Sequence, residues 1–216
     1  MVMEITAEDP LDAWKELLSR VAKEGRQIKY RDRTALECLN VLVTAKNPAK
    51  RIEEPIATLN SFGKWLYPSL DEISEGLLTG GQADYVYTYG SRLIGTNQVD
   101  GFLIPLLKSR PESGRSILVP WDTKKDARTD ADEVPGIVAF DFKLRDGALN
   151  ATAIIRNNDV FFGWPANVYQ TYVLQKYVAS KLGCRIGTLS ILSCSAHIYE
   201  DLMSYVRKVV GKRLQA

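Results

Sequence analysis

Residues 138–183 read VAFDFKLRDGALNATAIIRNNDVFFGWPANVYQTYVLQKYVASKLG. Val138, Phe140, Phe142 and Leu144 alternate with other residues up to Arg145-Asp146-Gly147, a sequence suited to a tight turn. A return strand runs from Ala148 towards Arg156. Beyond it, Trp164, Val168, Leu174, Tyr177, Val178 and Leu182 mark a long helix, and Gly183 supplies its stop. Strand, turn, strand and helix within one stretch point to an α+β fold.

The flanking sequence extends this pattern. Ser116–Val119 reads as a short strand and Thr188–Ser193 as another, and Leu202, Tyr205, Val206 and Val209 fall on one side of a final helix from Glu200 to Val210. Near the start, Asp9 and Pro10 introduce Leu11, Trp14, Leu17, Leu18 and Val21 at helical spacing, ended by Gly25. From Pro48 to Gly81 the pattern is interrupted by Pro55, Gly63 and Pro68, which leaves helical pieces around Ile56–Phe62 and Leu70–Leu78. The aromatics Tyr85, Tyr87, Phe161 and Phe162 read as core or interface. There is no internal repeat, low-complexity tract or linker, so residues 1–216 are expected to form a single domain.

Composition narrows the class. The chain has 216 residues, of which 45% are hydrophobic and 25% charged, and its 15 Gly and 9 Pro exclude collagen-like or disordered character. Lys+Arg number 28 against 26 Asp+Glu, a net charge of +2, which gives no expectation of a nucleic-acid or membrane partner. Any anion site has to be local. Three widely spaced cysteines, Cys38, Cys184 and Cys194, with a single histidine suit neither a disulfide framework nor a standard zinc site, so no metal is expected. A reducing, cytoplasmic setting is expected, because the first ten residues carry three carboxylates and no apolar leader.

Generic catalytic motifs are absent: there is no phosphate-cradling glycine loop, no H-E-x-x-H, no C-x-x-C and no G-x-S-x-G. Polar residues instead cluster at strand ends and turns: Arg31-Asp32-Arg33-Thr34, Tyr89-Gly90 with Arg92, Arg115, Arg156-Asn157-Asn158-Asp159, Asn167, and Ser195-Ala196-His197-Ile198-Tyr199. Taken singly, each has an ordinary structural use. A strand-end arginine is commonly solvated, Asn167 can cap a helix, and a lone histidine beside Ile198 is commonly a satisfied core residue. Taken together and in this order, with R-N-N-D followed by Gly163-x-Pro165-x-Asn167, they resemble thymidylate synthase, the folate-dependent family that methylates deoxyuridylate. The resemblance runs from about Leu11 to Tyr199 and is nearest to the compact archaeal members.

The resemblance implies a large, kinked, mixed β-sheet with helices on one face, the other face pairing two subunits into a homodimer. It also assigns roles. Arg33, Arg156 and, across the dimer, Arg115 would hold the 5′-phosphate, because guanidinium forks bind phosphate bidentately and stay charged. His197 and Tyr199 would meet the sugar 3′-hydroxyl. Asn167, donor and acceptor in one group, would read N3 and O4 of uracil, where an aspartate would suit cytosine. Asp159 would lie towards the folate, and Trp121 would form part of the pocket wall.

One departure bears on the chemistry. Pro135-Gly136-Ile137 stands where the family has Pro-Cys, and a glycine has no thiolate to add to C6 of the pyrimidine. Asp141 stands where glutamine is usual, and Asn157 where serine is usual. Asp141, Asn157 and Asp159 are therefore the candidate catalytic residues, while Glu53, Glu54 and Glu72 are equal candidates for the family's proton-handling glutamate. Buried, inert thiol is the common fate of a lone cysteine; Cys194, read as part of the sugar-binding loop, is the candidate relocated nucleophile. Nor is there a clear version of the tail that closes over folate.

Three functions follow in order. The first is one-carbon transfer to C5 of a dUMP-like nucleotide from a reduced folate or pterin by altered, non-cysteine chemistry, with a water at C6 and Asp141 assisting. The second is a catalytically inactive nucleotide-binding sensor or regulatory homologue. The third is hydrolysis of the bond between base and sugar.

Overall fold

The computed structural model describes residues 2–30, 32–65, 67–79, 87–131 and 133–211, which leaves Arg31 and Tyr85 outside the described residues. The elements follow as β1 (Met3–Ala7), α1 (Pro10–Glu24), β2 (Arg26–Tyr30), β3 (Arg33–Ala45), α2 (Glu54–Asn60), α3 (Leu70–Leu78), α4 (Tyr89–Leu93), a π-helical turn (Val99–Leu103), α5 (Ile104–Ser109), β4 (Ile117–Leu118), α6 (Thr123–Asp126), β5 (Ile137–Arg145), β6 (Ala148–Ile155), β7 (Asn158–Asp159), α7 (Gly163–Leu182), β8 (Arg185–Tyr199), a 3₁₀ turn (Glu200–Leu202) and α8 (Met203–Val210). The fold is α+β with mixed β-pairing. The chain divides into two compact units: residues 1–67, 155–169 and 189–216 form the first, and residues 68–154 and 170–188 the second.

In the first unit the strand order is β1-β3-β8, with β1 parallel and β8 antiparallel to β3. β2 pairs antiparallel with the start of β3, and β7 pairs parallel with β8. α1 begins where the sequence says it should: the Asp9 side chain accepts from Asp12 N–H at 3.1 Å and Pro10 opens the first turn. Its apolar stripe, Trp14, Leu17, Leu18 and Val21, is fully buried together with Val41 of β3 and Val206 of α8. Trp14 adds a polar tie, donating from Nε1 to the carbonyl of Val160 at 2.8 Å.

The hairpin predicted in the second unit is β5–β6. Asp146 (φ 51°) and Gly147 (φ 68°) both adopt the left-handed conformation that a two-residue hairpin turn requires. β4 pairs antiparallel with β5, Ile117 facing Asp141 and Leu118 facing Phe140. α7 ends before Gly183 (φ 66°), as its sequence indicates, and Gln175 donates to the carbonyls of Leu149 (2.7 Å) and Thr188 (3.0 Å).

Three expectations change. β1 precedes the first helix, and the hairpin β2–β3 occupies a stretch whose sequence suggests only a polar turn. Period-2 alternation is obscured there because Asn40 (φ 55°) interrupts the strand and the buried positions run Ala35, Cys38, Val41, Val43 and Ala45. β8 does not stop at Ser193: it stays in register with β3 through Tyr199 opposite Ala35, so Ser195-Ala196-His197-Ile198-Tyr199 is strand and not loop. Among the described residues, no helix is long and apolar enough to cross a membrane.

Candidate nucleotide site

Side chains alternate along a strand, so Ser195, His197 and Tyr199 of β8 share one face, downstream of a break in the ladder at Asn40 (φ 55°) of β3. Upstream of the break, Leu189 and Ile191 lie beside Val43 and Ala45 of β3, all buried. Downstream of it the ladder turns polar, with Ser195, His197 and Tyr199 opposite a β3 segment that carries Glu37 and Arg33. A cluster of polar side chains is thereby mounted on a rigid, hydrogen-bonded ladder.

Arg33 makes a bidentate pair with Asp201, its Nη2 lying 2.6 and 2.9 Å from the two carboxylate oxygens, and its guanidinium lies 3.5 Å from the centroid of the Tyr199 ring. Both partners are substantially exposed, at 41% and 65% of their side-chain surface, so water screens the pair and it is exchangeable. Arg156, directly after β6, is also exposed. His197 is 2% exposed. The Tyr30 ring stacks on its face at 5.2 Å with 14° between planes, and Tyr199 meets it edge-on at 5.0 Å. Asn157 donates to the Tyr30 hydroxyl and so holds that ring in place.

β7 supplies the next layer. Asp159 stands in register with His197, and its carboxylate accepts from the backbone N–H groups of Phe161 (2.9 Å) and Phe162 (3.1 Å). Burial pushes this carboxyl above its ordinary range, against the opposing pull of those N–H groups, His197 and Arg33. Burial pushes the His197 imidazole below its ordinary range, against the opposing pull of Asp159 and Glu37. Asn167, the fifth residue of α7, donates to Asn158 Oδ1 at 3.2 Å, and Asn158 donates to Ser193 Oγ at 2.9 Å. That chain fixes the Asn167 amide against the sheet.

Six of the sequence-selected residues thus fall within the first unit: Arg33, Asn157, Asp159, Asn167, His197 and Tyr199, with Arg156 as a seventh at its strand end. Arg115, Gly136 and Asp141 belong to the second. Arg115 is exposed ahead of β4, and Asp141 forms a close ion pair with Lys143, two residues along β5. Gly136 directly precedes β5, where the Tyr89 hydroxyl accepts from Ile137 N–H at 2.9 Å. Arg92 is committed to Asp126 (2.7 Å) and Asp122 (3.7 Å). Trp121 lines a cavity of about 440 Å³ with Arg92, Gln98, Val119 and Lys125.

The three glutamates are all exposed. Glu54 pairs with Arg51 at 3.3 Å, Glu53 stands just ahead of α2, and Glu72 is consumed in the capping box of α3, where Ser69 holds its carboxyl below the ordinary range. A group that must hold and release protons near neutrality needs the opposite shift. The sequence reading missed Tyr30, Glu37 and Asp201. Each acts through a partner distant in the chain, and no local pattern announces it.

Cys194 does not take the place expected of it. It lies inside β8 between Ser193 and Ser195, in strand and not in a loop. It is exposed, Cys184 is half-buried and Cys38 is buried, and burial raises the thiol pKa of the latter two. Alkylation by iodoacetamide at neutral pH, followed by peptide mass spectrometry, is expected to label Cys194 first and Cys38 last. Equal rates for Cys38 and Cys194 would show that the β3–β8 ladder opens readily.

The sequence profile described as thymidylate synthase matches residues 78–216. The chain belongs to the thymidylate synthase family. Thymidylate synthase relatives of similar length match it nearly end to end. A protein of Methanothermobacter marburgensis is 35% identical over 97% of this chain and 99% of its own length. One from Methanothermobacter thermautotrophicus is 35% identical over the same shares, and one from Methanosarcina acetivorans is 34% identical over 95% and 94%. Each carries the name "Putative thymidylate synthase".

Proposed function

We propose that the protein binds a dUMP-like pyrimidine deoxynucleotide monophosphate at the polar end of β3 and β8 and transfers a one-carbon unit to its C5. The observation that carries this reading is the convergence of Arg33, Asn167, His197 and Tyr199, far apart in sequence, in one unit. Arg33 and Arg156 pair the phosphate, His197 and Tyr199 meet the sugar, and Asn167, held by Asn158, offers donor and acceptor to the base. Asp201 already gives Arg33 an anionic partner, both carboxylate oxygens meeting its Nη2. We further propose that residues 1–216 act as one cytoplasmic domain and that a homodimer brings the partner subunit's Arg115 to the phosphate.

A reduced folate or pterin, which supplies the one-carbon unit, suits the residues beside Asp159. Trp65 meets Phe162 and Tyr205 edge-on, both at 4.8 Å, while Lys64 and Lys208 lie 4.9 and 5.0 Å from the Tyr205 ring. Aromatic edges suit a planar ring system and the two ammonium groups an anionic tail.

A second reading is favoured by Gly136 and by the Lys143 partner of Asp141: a nucleotide-binding homologue without turnover. Calorimetric titration with dUMP, UMP and dCMP tests the binding, and exchange of the C5 hydrogen with solvent separates the two readings. Preference for dUMP with exchange supports the enzyme, and preference without exchange supports the binder. No binding of any of the three overturns both.

A further inference from the structure

His197 is bracketed by carboxylates on both sides. In the β3–β8 register it faces Glu37, and in the β7–β8 register it faces Asp159, so Glu37, His197 and Asp159 form one row across three strands. Glu37 is itself fixed, because Ser195, two residues before His197 and on the same face, donates its hydroxyl to the Glu37 carboxylate. The imidazole Nδ1 is buried and has no hydrogen-bond partner among the described residues. A buried, unpaired ring nitrogen is costly and favours a ligand that pairs with it.

We propose that Glu37 is a positioning residue for the nucleotide sugar, holding His197 as a hydrogen-bond donor to the 3′-hydroxyl. This rests on the nucleotide reading above. Burial and the nearby Arg33 guanidinium disfavour the imidazolium, whereas Glu37 and Asp159 favour it. Tyr30 and Tyr199 cover the ring without adding charge. An imidazolium donates from both nitrogens and more strongly than a neutral ring. Removing the Glu37 charge therefore shifts His197 towards the neutral form, whichever nitrogen meets the sugar.

His197 is the only histidine of the chain, so in the untagged protein its ring C–H resonances report its titration without ambiguity. Glu37→Gln keeps the shape of the side chain and its ability to accept from Ser195. The His197 midpoint is expected to fall by about one pH unit in this variant and to recover in Glu37→Asp. dUMP affinity of the native protein is expected to fall as pH rises through the His197 midpoint, and in Glu37→Gln that fall moves to lower pH by the same amount. The phosphate also titrates near pH 6, so 2′,3′-dideoxyuridine monophosphate serves as comparator, carrying the same phosphate and no 3′-hydroxyl. Its pH profile should be identical in native and Glu37→Gln proteins.

An unchanged midpoint in Glu37→Gln overturns the proposal. So does a shifted midpoint with unaltered dUMP affinity at every pH, or an equal change for the dideoxy analogue. If the native protein binds neither nucleotide, the nucleotide reading fails and takes the sugar role with it. The titration then still upholds or overturns the coupling of Glu37 to His197.

Discussion

Arg156→Ala is expected to weaken dUMP binding about 10- to 100-fold while leaving deoxyuridine, which has no phosphate, unaffected. Hydrogen bonds to a charged partner are worth about 1.5–3 kcal/mol each, so the loss is that of one such bond, the second being discounted because Arg156 is exposed and screened by water. Arg33→Ala should weaken dUMP binding as well, by less than the full worth of two such bonds. In the free protein Arg33 already holds Asp201 and covers the Tyr199 ring, so phosphate binding exchanges one anionic partner for another. Calorimetry at two salt concentrations checks this, because the phosphate contribution shrinks as salt screens it and the nucleoside contribution does not. Equal losses for nucleotide and nucleoside would mean that Arg156 supports the fold at the end of β6 and does not read the phosphate.

The parts of the fold legible in sequence are those with local signals. Asp9 and Pro10 open α1, Asp146-Gly147 closes a hairpin and Gly183 stops α7, each through backbone chemistry that one or two residues decide. β3 and the second half of β8 were not legible, because their core-facing positions change from apolar to polar along the strand. Buried Ser193 and His197 with half-buried Ser195, and a shift of the buried positions at Cys194, break the very alternation by which strands are recognised. That failure and the candidate site coincide: polar residues on a core face are tolerated only where something pairs with them. The order of Arg33, Arg156, Asn167 and Ser195–Tyr199 was readable as a family pattern. Glu37 was not, since its partner Ser195 is 158 positions away and only strand pairing joins them.

The departure at Gly136 yields the other large effect, one of kind. Gly136→Cys is expected to give a protein that forms a covalent adduct with 5-fluoro-dUMP and exchanges the C5 hydrogen of dUMP with solvent. In that step the thiolate sulfur bonds to C6, the C5–C6 double bond opens, and C5 takes a proton from solvent before the original one leaves and the thiolate departs. Only the thiolate attacks, so both signals should grow between pH 7 and pH 9 as a thiol of ordinary pKa near 8.5 ionises. Intact-protein mass spectrometry detects the adduct, and Cys38, Cys184 and Cys194 serve as internal controls because they are present in both proteins. Ile137 N–H is anchored on the Tyr89 hydroxyl, so the residue before it is held in a defined place at the start of β5. An adduct locates Gly136 at C6 of the bound base and makes the missing thiolate the change that removed covalent chemistry from the native protein. Tight dUMP binding by Gly136→Cys without adduct or exchange would instead separate this segment from the base, and the protein would then be a nucleotide binder whose change of function reaches beyond one side chain.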